Sequence, residues 1–382
     1  MIKQKIYYVA NAKMPTPKAH GIQLAKMAEA MISAGADLEL VVPAREAPGG
    51  NLKKFYGLEI EIPMAKIPVL GTYKHGKFGF LLGSLIFMLG SFGYLLLKRL
   101  AGEKFIIYTI DMDIFSFMFL PMIGRPLFAE MHDRKSASLP SKILFNRAKG
   151  IITINQIIKK ELAATFSISS DKIIVYPNGI DLTEFAVATS KEEARKTLDI
   201  PPDRHIVLYS GKLYDWKGLP ILLEAAKLLR GEVFIYWVGG SDEDLKKVSE
   251  GKPATPNLIC AGEKNYKEMP LWLRSADVLV VLGTKRNDYS YLYTSPMKLL
   301  EYMASGRPIV ASMTPANREI VSENEVFFYS PDSAEDLASK IKEALTNQPA
   351  AGEKARSASA KVHEFSWEKR ADGVLRFIRD KA

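Results

Sequence analysis

Two short stretches of this 382-residue chain combine residue types that can hold an anion. In SGKLYDWKG (210–218), Lys212 and Lys217 place two cations on one loop behind Gly211, which lets the backbone turn closely. In SPMKLLEYMASGRPIVAS (295–312), Ser295 is a good helix N-cap and Pro296 suits the first helical position, where its missing N–H costs nothing. The amides of Met297, Lys298 and Leu299 then point out of the helix end, with the helix dipole behind them and the Lys298 side chain adding a charge. Leu299, Leu300, Met303 and Ala304 follow helical spacing and are expected to face the core. Glu301 lies on the side leading away from the anion site, where two acceptor oxygens suit the vicinal hydroxyls of a ribose beside a diphosphate. Each stretch also has a plain structural reading: a capped helix with a solvated glutamate, and two surface lysines at a turn.

The elements around them explain the placement. KIYYVAN (5–11), GIQLAKMAEAMISAG (21–35) and LELVVP (38–43) form a strand–loop–helix–strand unit, and HIVLYSG (205–211), LPILLEAAKLLRG (219–231) and VFIYWVGG (233–240) repeat it. Further apolar runs follow at 105–110, 125–133, 150–155 and 172–179, then at 257–262, 277–283, 307–312 and 325–330. The pattern predicts two tandem doubly wound α/β domains with parallel sheets, divided within 181–203, where a polar helix-like piece ends at Pro-Pro. The lysine loop leaves the carboxyl end of the second domain's first strand, where open sheets bind ligands. The polar run at 347–362 precedes a last amphipathic segment. No P-loop and no G-x-G-x-x-G follows either strand, so ATP hydrolysis and dinucleotide redox chemistry lose their usual signatures.

The formal net charge of +9 suggests an anionic partner. Nucleic acid is set aside because no basic stripe is interleaved with stacking aromatics. Cys260, the one cysteine, sits in the apolar NLICAG and is expected to be buried and structural. The N-terminus enters a strand with no secretory signal ahead of it, which points to the cytoplasm. The segment 78–97 is uncharged and long enough to span a bilayer, with Lys77 before it and Lys98-Arg99 after it. A span would put strands of one sheet on opposite sides of the membrane. A buried core helix and a helix lying on an anionic membrane surface remain.

The two anion-site stretches together resemble the donor-binding half of glycosyltransferase family 4, retaining enzymes of the GT-B fold. ADVLVVLG (276–283) is similar to the strand before the family's donor helix, 150–185 to its last N-terminal unit and hinge, and FSWEKRADGVLRFI (365–378) to its terminal helix. The resemblance implies two Rossmann-like domains with a cleft between them and a C-terminal helix crossing back to the first domain. Their expected limits are 1–185 for the acceptor side, 186–204 for a linker, 205–355 for the donor-binding domain and 356–382 for the returning helix.

By the same resemblance Gly211, Lys212 and Lys217, with Ser295, Pro296, Met297, Lys298 and Leu299, hold the donor diphosphate, and Glu301 binds the ribose. FAEMHD (128–133) matches the family's strand ending in His-Asp, which makes His132 the catalytic candidate beside the donor sugar; the residues alone favour a structural histidine there. Asn11 and His20, on the loop 11–21, and Tyr293 and Thr294 fall at the donor-sugar and acceptor positions. Two departures stand out. The family's first glutamate, eight residues before Glu301, is Tyr293, and its glycine pair in the first loop is replaced by MPTPKAH.

The implied activity is retaining transfer from a nucleotide-diphosphate sugar to a saccharide or lipid-linked acceptor, in cell-surface glycan or glycolipid assembly. The leaving phosphate, stabilised by lysines and helix amides, accepts the acceptor's proton on the same face of the sugar. No cofactor beyond the co-substrate is expected, and no metal, since histidines 20, 75, 132, 205 and 363 form no ligand-spaced cluster. The expected location is the cytoplasm or the inner face of the cell membrane. A nucleotide-sugar epimerase and a non-catalytic nucleotide-sugar binder are the alternatives.

Overall fold

The computed structural model describes residues 4–45, 51–69, 76–111, 113–185, 188–214, 217–231, 233–251 and 255–382, with only the backbone at 76–78. Asp215 and Trp216 of the lysine loop, and His75, lie outside the described residues. The chain divides into two compact units, 1–179 with 367–382, and 180–366.

The first unit is a seven-stranded, all-parallel sheet of β1 (Lys5–Val9), β2 (Leu38–Ala44), β3 (Met64–Pro68), β4 (Phe105–Ile110), β5 (Leu127–Met131), β6 (Gly150–Thr153) and β7 (Ile173–Val175), in the order β3-β2-β1-β4-β5-β6-β7. Its central strands are buried on both faces, which is why they read as continuous apolar runs. The order reverses between β1 and β4, so the loops after these strands part and leave a crevice at their carboxyl ends.

The helix Gly76–Leu100 is the crossover from β3 to β4, and both strands belong to one sheet. It is long and apolar enough to cross a bilayer: its 22 residues from Gly79 to Leu100 contain an 18-residue stretch of mean hydropathy 2.1. Only one side packs: Ser84, Phe87, Met88, Ser91 and Leu95 are buried. Leu81, Leu85, Leu89, Leu97 and Leu100 are exposed, Leu81 by 54% and Leu100 by 74%. The buried-core reading therefore holds for one face and fails for the other.

The helix Trp367–Lys381 returns to the first unit and lies against the helix Ala19–Ser33 and β6. Small residues permit the approach: a Cβ on Gly150 would stand 2.4 Å from the Phe377 ring, and one on Gly373 2.1 Å from the Tyr176 hydroxyl.

The second unit is a six-stranded parallel sheet of β8 (His205–Ser210), β9 (Val233–Val238), β10 (Leu258–Gly262), β11 (Val278–Val281), β12 (Ile309–Ser312) and β13 (Phe327–Tyr329), in the order β10-β9-β8-β11-β12-β13. Its order reverses between β8 and β11.

The structure shifts three expected boundaries. The units divide at Gly179, ahead of the expected 185. The stretch 186–204, expected as a linker, is part of the second unit: helix Lys191–Thr197 is tied in by Arg195, which bonds the Ser275 carbonyl at 2.8 Å and Asp277 at 2.7 Å. Phe185 and Ile200 on either side are core residues. Of the expected returning segment, 356–366 stays with the second unit, because the polar run there is a helix, Gln348–Lys361, that buries Ala351, Ala355 and Ala358. Cys260 is half-buried, and burial pushes its thiol up to about 11.

Candidate functional site

In the second unit the two anion-site stretches meet at the point where strand order reverses. β8 ends at Ser210, whose amide donates to the Tyr302 hydroxyl at 2.9 Å, tying the strand end to the helix Met297–Ala304. Gly211 follows with φ +144°; its amide bonds the Val238 carbonyl at 2.6 Å and its carbonyl accepts from the Trp237 indole at 2.6 Å. A Cβ on Gly211 would stand 2.0 Å from the Lys298 amine and 3.1 Å from the Lys217 amine. The two lysines, 81 positions apart in sequence, therefore bring their charges to one glycine.

Their electrostatics follow from that closeness. Burial, then the adjacent Lys298 amine, push Lys217 down to about 6. Burial likewise lowers Lys298, against the attraction of Glu301. Burial raises Glu301 to about 7, against the pull of Lys298 and a 3.2 Å hydrogen bond from the Tyr266 hydroxyl. Both lysines have their charged forms disfavoured by burial, and an anion placed beside them would favour those charged forms again.

Several expected details differ. Pro296, not Ser295, is the N-cap: it is extended (φ −75°, ψ 101°), the helix starts at Met297, and no side chain caps it. The Leu299 amide closes onto the Pro296 carbonyl at 3.0 Å, which leaves the helix-end amides of Met297 and Lys298 for an anion. Lys212 points elsewhere, pairing with Glu263 at 2.6 Å on the surface. Tyr293 is buried (2% exposed) at the end of a wide helical turn, Tyr289–Tyr293, and the Thr294 amide bonds back to the Tyr289 carbonyl at 3.1 Å. Leu299, Leu300, Met303 and Ala304 face the core as expected. Tyr266 was missed, since a tyrosine in a polar loop carries no signal of its partner.

In the first unit, Asn11 follows β1 and is buried; its amide nitrogen lies 2.5 Å from Asp113 Oδ2 and 2.9 Å from Ser116 Oγ, and Arg45 donates to its oxygen. It is thus knitted into the unit. His20 is half-buried in the first turn of the helix Ala19–Ser33, and burial, then Lys18, lower its pKa. His132 follows β5; its Nε2 lies 2.6 Å from Glu130 Oε1, and its backbone amide donates to Asp111 at 3.3 Å. Glu130, which the sequence reading passed over, is fully buried and also accepts from Arg370 Nη2 at 2.7 Å, Gln23 at 3.0 Å and the Tyr108 hydroxyl. Burial pushes its carboxyl up, but Arg370, His132 and Tyr108 outweigh that and hold it well below the usual carboxylate range. Among the described residues no three His, Cys, Asp or Glu side chains gather to hold a metal ion.

Two Rossmann-like units, the second with a lysine-lined crevice at its strand reversal, define a protein of the GT-B fold. The solved structure of Anabaena HepE in complex with UDP and glucose aligns over 99% of this chain and 100% of its own, with a TM-score of 0.74 at 16% identity. Residues 190–374, nearly all of the second unit, match the family model described as glycosyl transferases group 1. Curated relatives agree. D-inositol 3-phosphate glycosyltransferase of Arthrobacter sp. (strain FB24) is 30% identical over 222 residues, 55% of this chain and 51% of that protein. The putative colanic acid biosynthesis glycosyl transferase WcaI of Escherichia coli (strain K12) is 25% identical over 263 residues, 66% of this chain and 63% of that protein. The chain thus spans between half and two thirds of these relatives' length.

Proposed function

We propose that the protein is a retaining, metal-independent glycosyltransferase of the family 4 kind, moving a sugar from a nucleotide-diphosphate sugar to a saccharide or lipid-linked acceptor. The observation that carries this reading is the meeting of Lys217 and Lys298 at Gly211, at the strand reversal of the second unit. Two lysines depressed by burial and by each other gain most from a diphosphate, whose charge grows as the sugar leaves. The amides of Met297 and Lys298 add to this cradle, and Glu301 takes the ribose hydroxyls. Lys212 joins by leaving its surface pair with Glu263, a contact worth little in water. His132 is the catalytic candidate of the first unit. The UDP and glucose in HepE and the sugar transfers named for the relatives support the donor and acceptor classes.

The partner surface is an anionic bilayer, met by the exposed face of the helix Gly76–Leu100, and the location is the cytoplasmic face of the membrane. Charge supports the choice. The first unit carries 28 Lys and Arg against 16 Asp and Glu, a net +12, while the second carries 24 against 27, a net −3. The positive charge is concentrated on the unit that exposes the leucines, the combination an interfacial helix needs.

The test is thermal stabilisation across UDP-, GDP- and ADP-sugars, with Glu301→Ala alongside. One nucleotide sugar at about 100 times its Kd stabilises the wild type by about 2.7 kcal/mol and moves the variant far less. No response to any of them removes the reading. A non-catalytic nucleotide-sugar binder is the second reading, favoured by the buried Tyr293 where the family has an acid; a donor that binds and is never consumed supports it.

A further inference from the structure

We propose that Glu130, held by Arg370 of the last helix, is a positioning residue that fixes His132 as its Nε2–H tautomer and leaves Nδ1 to accept a hydrogen bond from a substrate hydroxyl. The inference rests on the reading of His132 as the residue of the first unit that meets the sugar.

Glu130 lies in β5 and His132 directly follows its last residue, and a 2.6 Å contact brings the two side chains together. The Glu130 carboxylate is fully buried and accepts from three other side chains. Arg370 reaches both oxygens, Nη2 to Oε1 at 2.7 Å and Nη1 to Oε2 at 3.3 Å; Gln23 donates to Oε1 at 3.0 Å and the Tyr108 hydroxyl donates to Oε2. Arg370 cannot give up its proton, and an ionised carboxylate only accepts. The 2.6 Å contact between Glu130 Oε1 and His132 Nε2 is therefore an N–H donating to a carboxylate, which puts a proton on Nε2 and, in the neutral ring, leaves Nδ1 without one.

Nδ1 has no protein partner among the described residues, and the ring is 20% exposed. The other charged groups near it are engaged elsewhere. Asp111 takes the His132 backbone amide and pairs with Lys135 at 2.5 Å, and Asp133 accepts from the Arg134 amide at 2.7 Å. A second ring nitrogen fixed by a carboxylate is the arrangement by which proteins set a histidine's tautomer and orientation. Arg370 extends the chain of support: its Nε also bonds the Pro177 carbonyl at 2.8 Å, two residues before the unit ends. Packing alone needs no ion pair here, since a buried pair is a poor stabiliser compared with apolar residues of similar volume.

The decisive measurement is a long-range proton–nitrogen correlation spectrum of the 15N-histidine-labelled full chain at pH 8.5, recorded without nucleotide sugar. His132→Gln assigns the signals. Wild-type His132 is expected as a single Nε2–H tautomer, and the double variant Glu130→Gln, Arg370→Met, which removes both buried charges together, is expected to relax it to the mixture of a free imidazole. With donor and acceptor, the same variant should lose about 100-fold in kcat with the donor KM changed less than about threefold. An Nδ1–H form or a tautomer mixture in wild type overturns the proposal, as does a double variant that keeps both tautomer and kcat. Because the spectrum needs no donor, an inactive wild type tells against the transferase reading and leaves this one standing. If the variant does not fold, the wild-type spectrum still decides.

Discussion

The Lys298 amine lies 2.0 Å from where a Cβ would stand on Gly211, and the Lys217 amine 3.1 Å from the same point. Alanine at 211 therefore meets the two charges before it meets anything else. The first contact is the tip of a flexible side chain, which moves aside, so the stability loss comes mainly from the backbone at φ +144°. That costs about 1–3 kcal/mol. Binding suffers more, because the displaced amine no longer faces the anion. Gly211→Ala should weaken nucleoside diphosphate binding more than tenfold while the chain stays folded, read by calorimetric titration beside urea unfolding. Unchanged affinity would place the diphosphate elsewhere.

The depressed lysines give a signed pH dependence. Lys217 sits at about 6 in the folded protein and at 10.5 without its surroundings. Between those values the unfolded chain binds the extra proton, so stability from this group rises with pH across that window. Lys217→Met removes the penalty. The variant should exceed wild type in Tm most clearly near pH 6, and the gap should close towards pH 10. Glu301 works in the opposite sense: raised to about 7 from 4.5, it takes stability away as pH climbs through that interval.

The same shifts predict proton uptake on binding. A diphosphate beside Lys217 and Lys298 favours their charged forms, so at pH 7.5 a nucleoside diphosphate should bind with uptake of a proton. Titrations in two buffers of different ionisation enthalpy measure it directly. An observed enthalpy that is the same in both buffers rules out this linkage.

What could be read from the sequence followed burial. Strands buried on both faces announce themselves as apolar runs, and so does the reversal loop behind Gly211. β3 was invisible because it is a five-residue edge strand, MAKIP, with Lys66 and Pro68 exposed. The helix Gln348–Lys361 was hidden because it packs only through alanines. The lysines could be named as cations, but not their meeting at one glycine. Glu130 gave no signal of its own inside an apolar strand, and its partner Arg370 lies 240 residues away. Long-range pairing of that kind has no local signature.

The two faces of the helix Gly76–Leu100 should answer differently to mutation. Phe87 is fully buried, so Phe87→Ala should cost about 3–5 kcal/mol. Replacing the exposed Leu81, Leu85 and Leu89 together by serine should leave unfolding nearly unchanged and strip binding to phosphatidylglycerol-containing vesicles. Flotation at low salt compares them, and raised salt should weaken the wild type as well. Wild-type protein that stays at the bottom of the gradient with anionic vesicles would remove the membrane from the account.

The Arg370–Glu130 pair ties the last helix to the sheet, and its removal should be asymmetric. Arg370→Met leaves a buried carboxylate with Gln23, Tyr108 and His132 but no countercharge, and it also abandons the Pro177 carbonyl. A loss of about 3–5 kcal/mol is expected. Adding Glu130→Gln to it should recover most of that loss, because the stranded charge goes with it and only ordinary hydrogen bonds are missing. Urea unfolding of wild type, the single variant and the double closes the comparison. If the double variant is as unstable as the single one, the lost energy belongs to Arg370's contacts with Pro177 and Met27 and not to the ion pair.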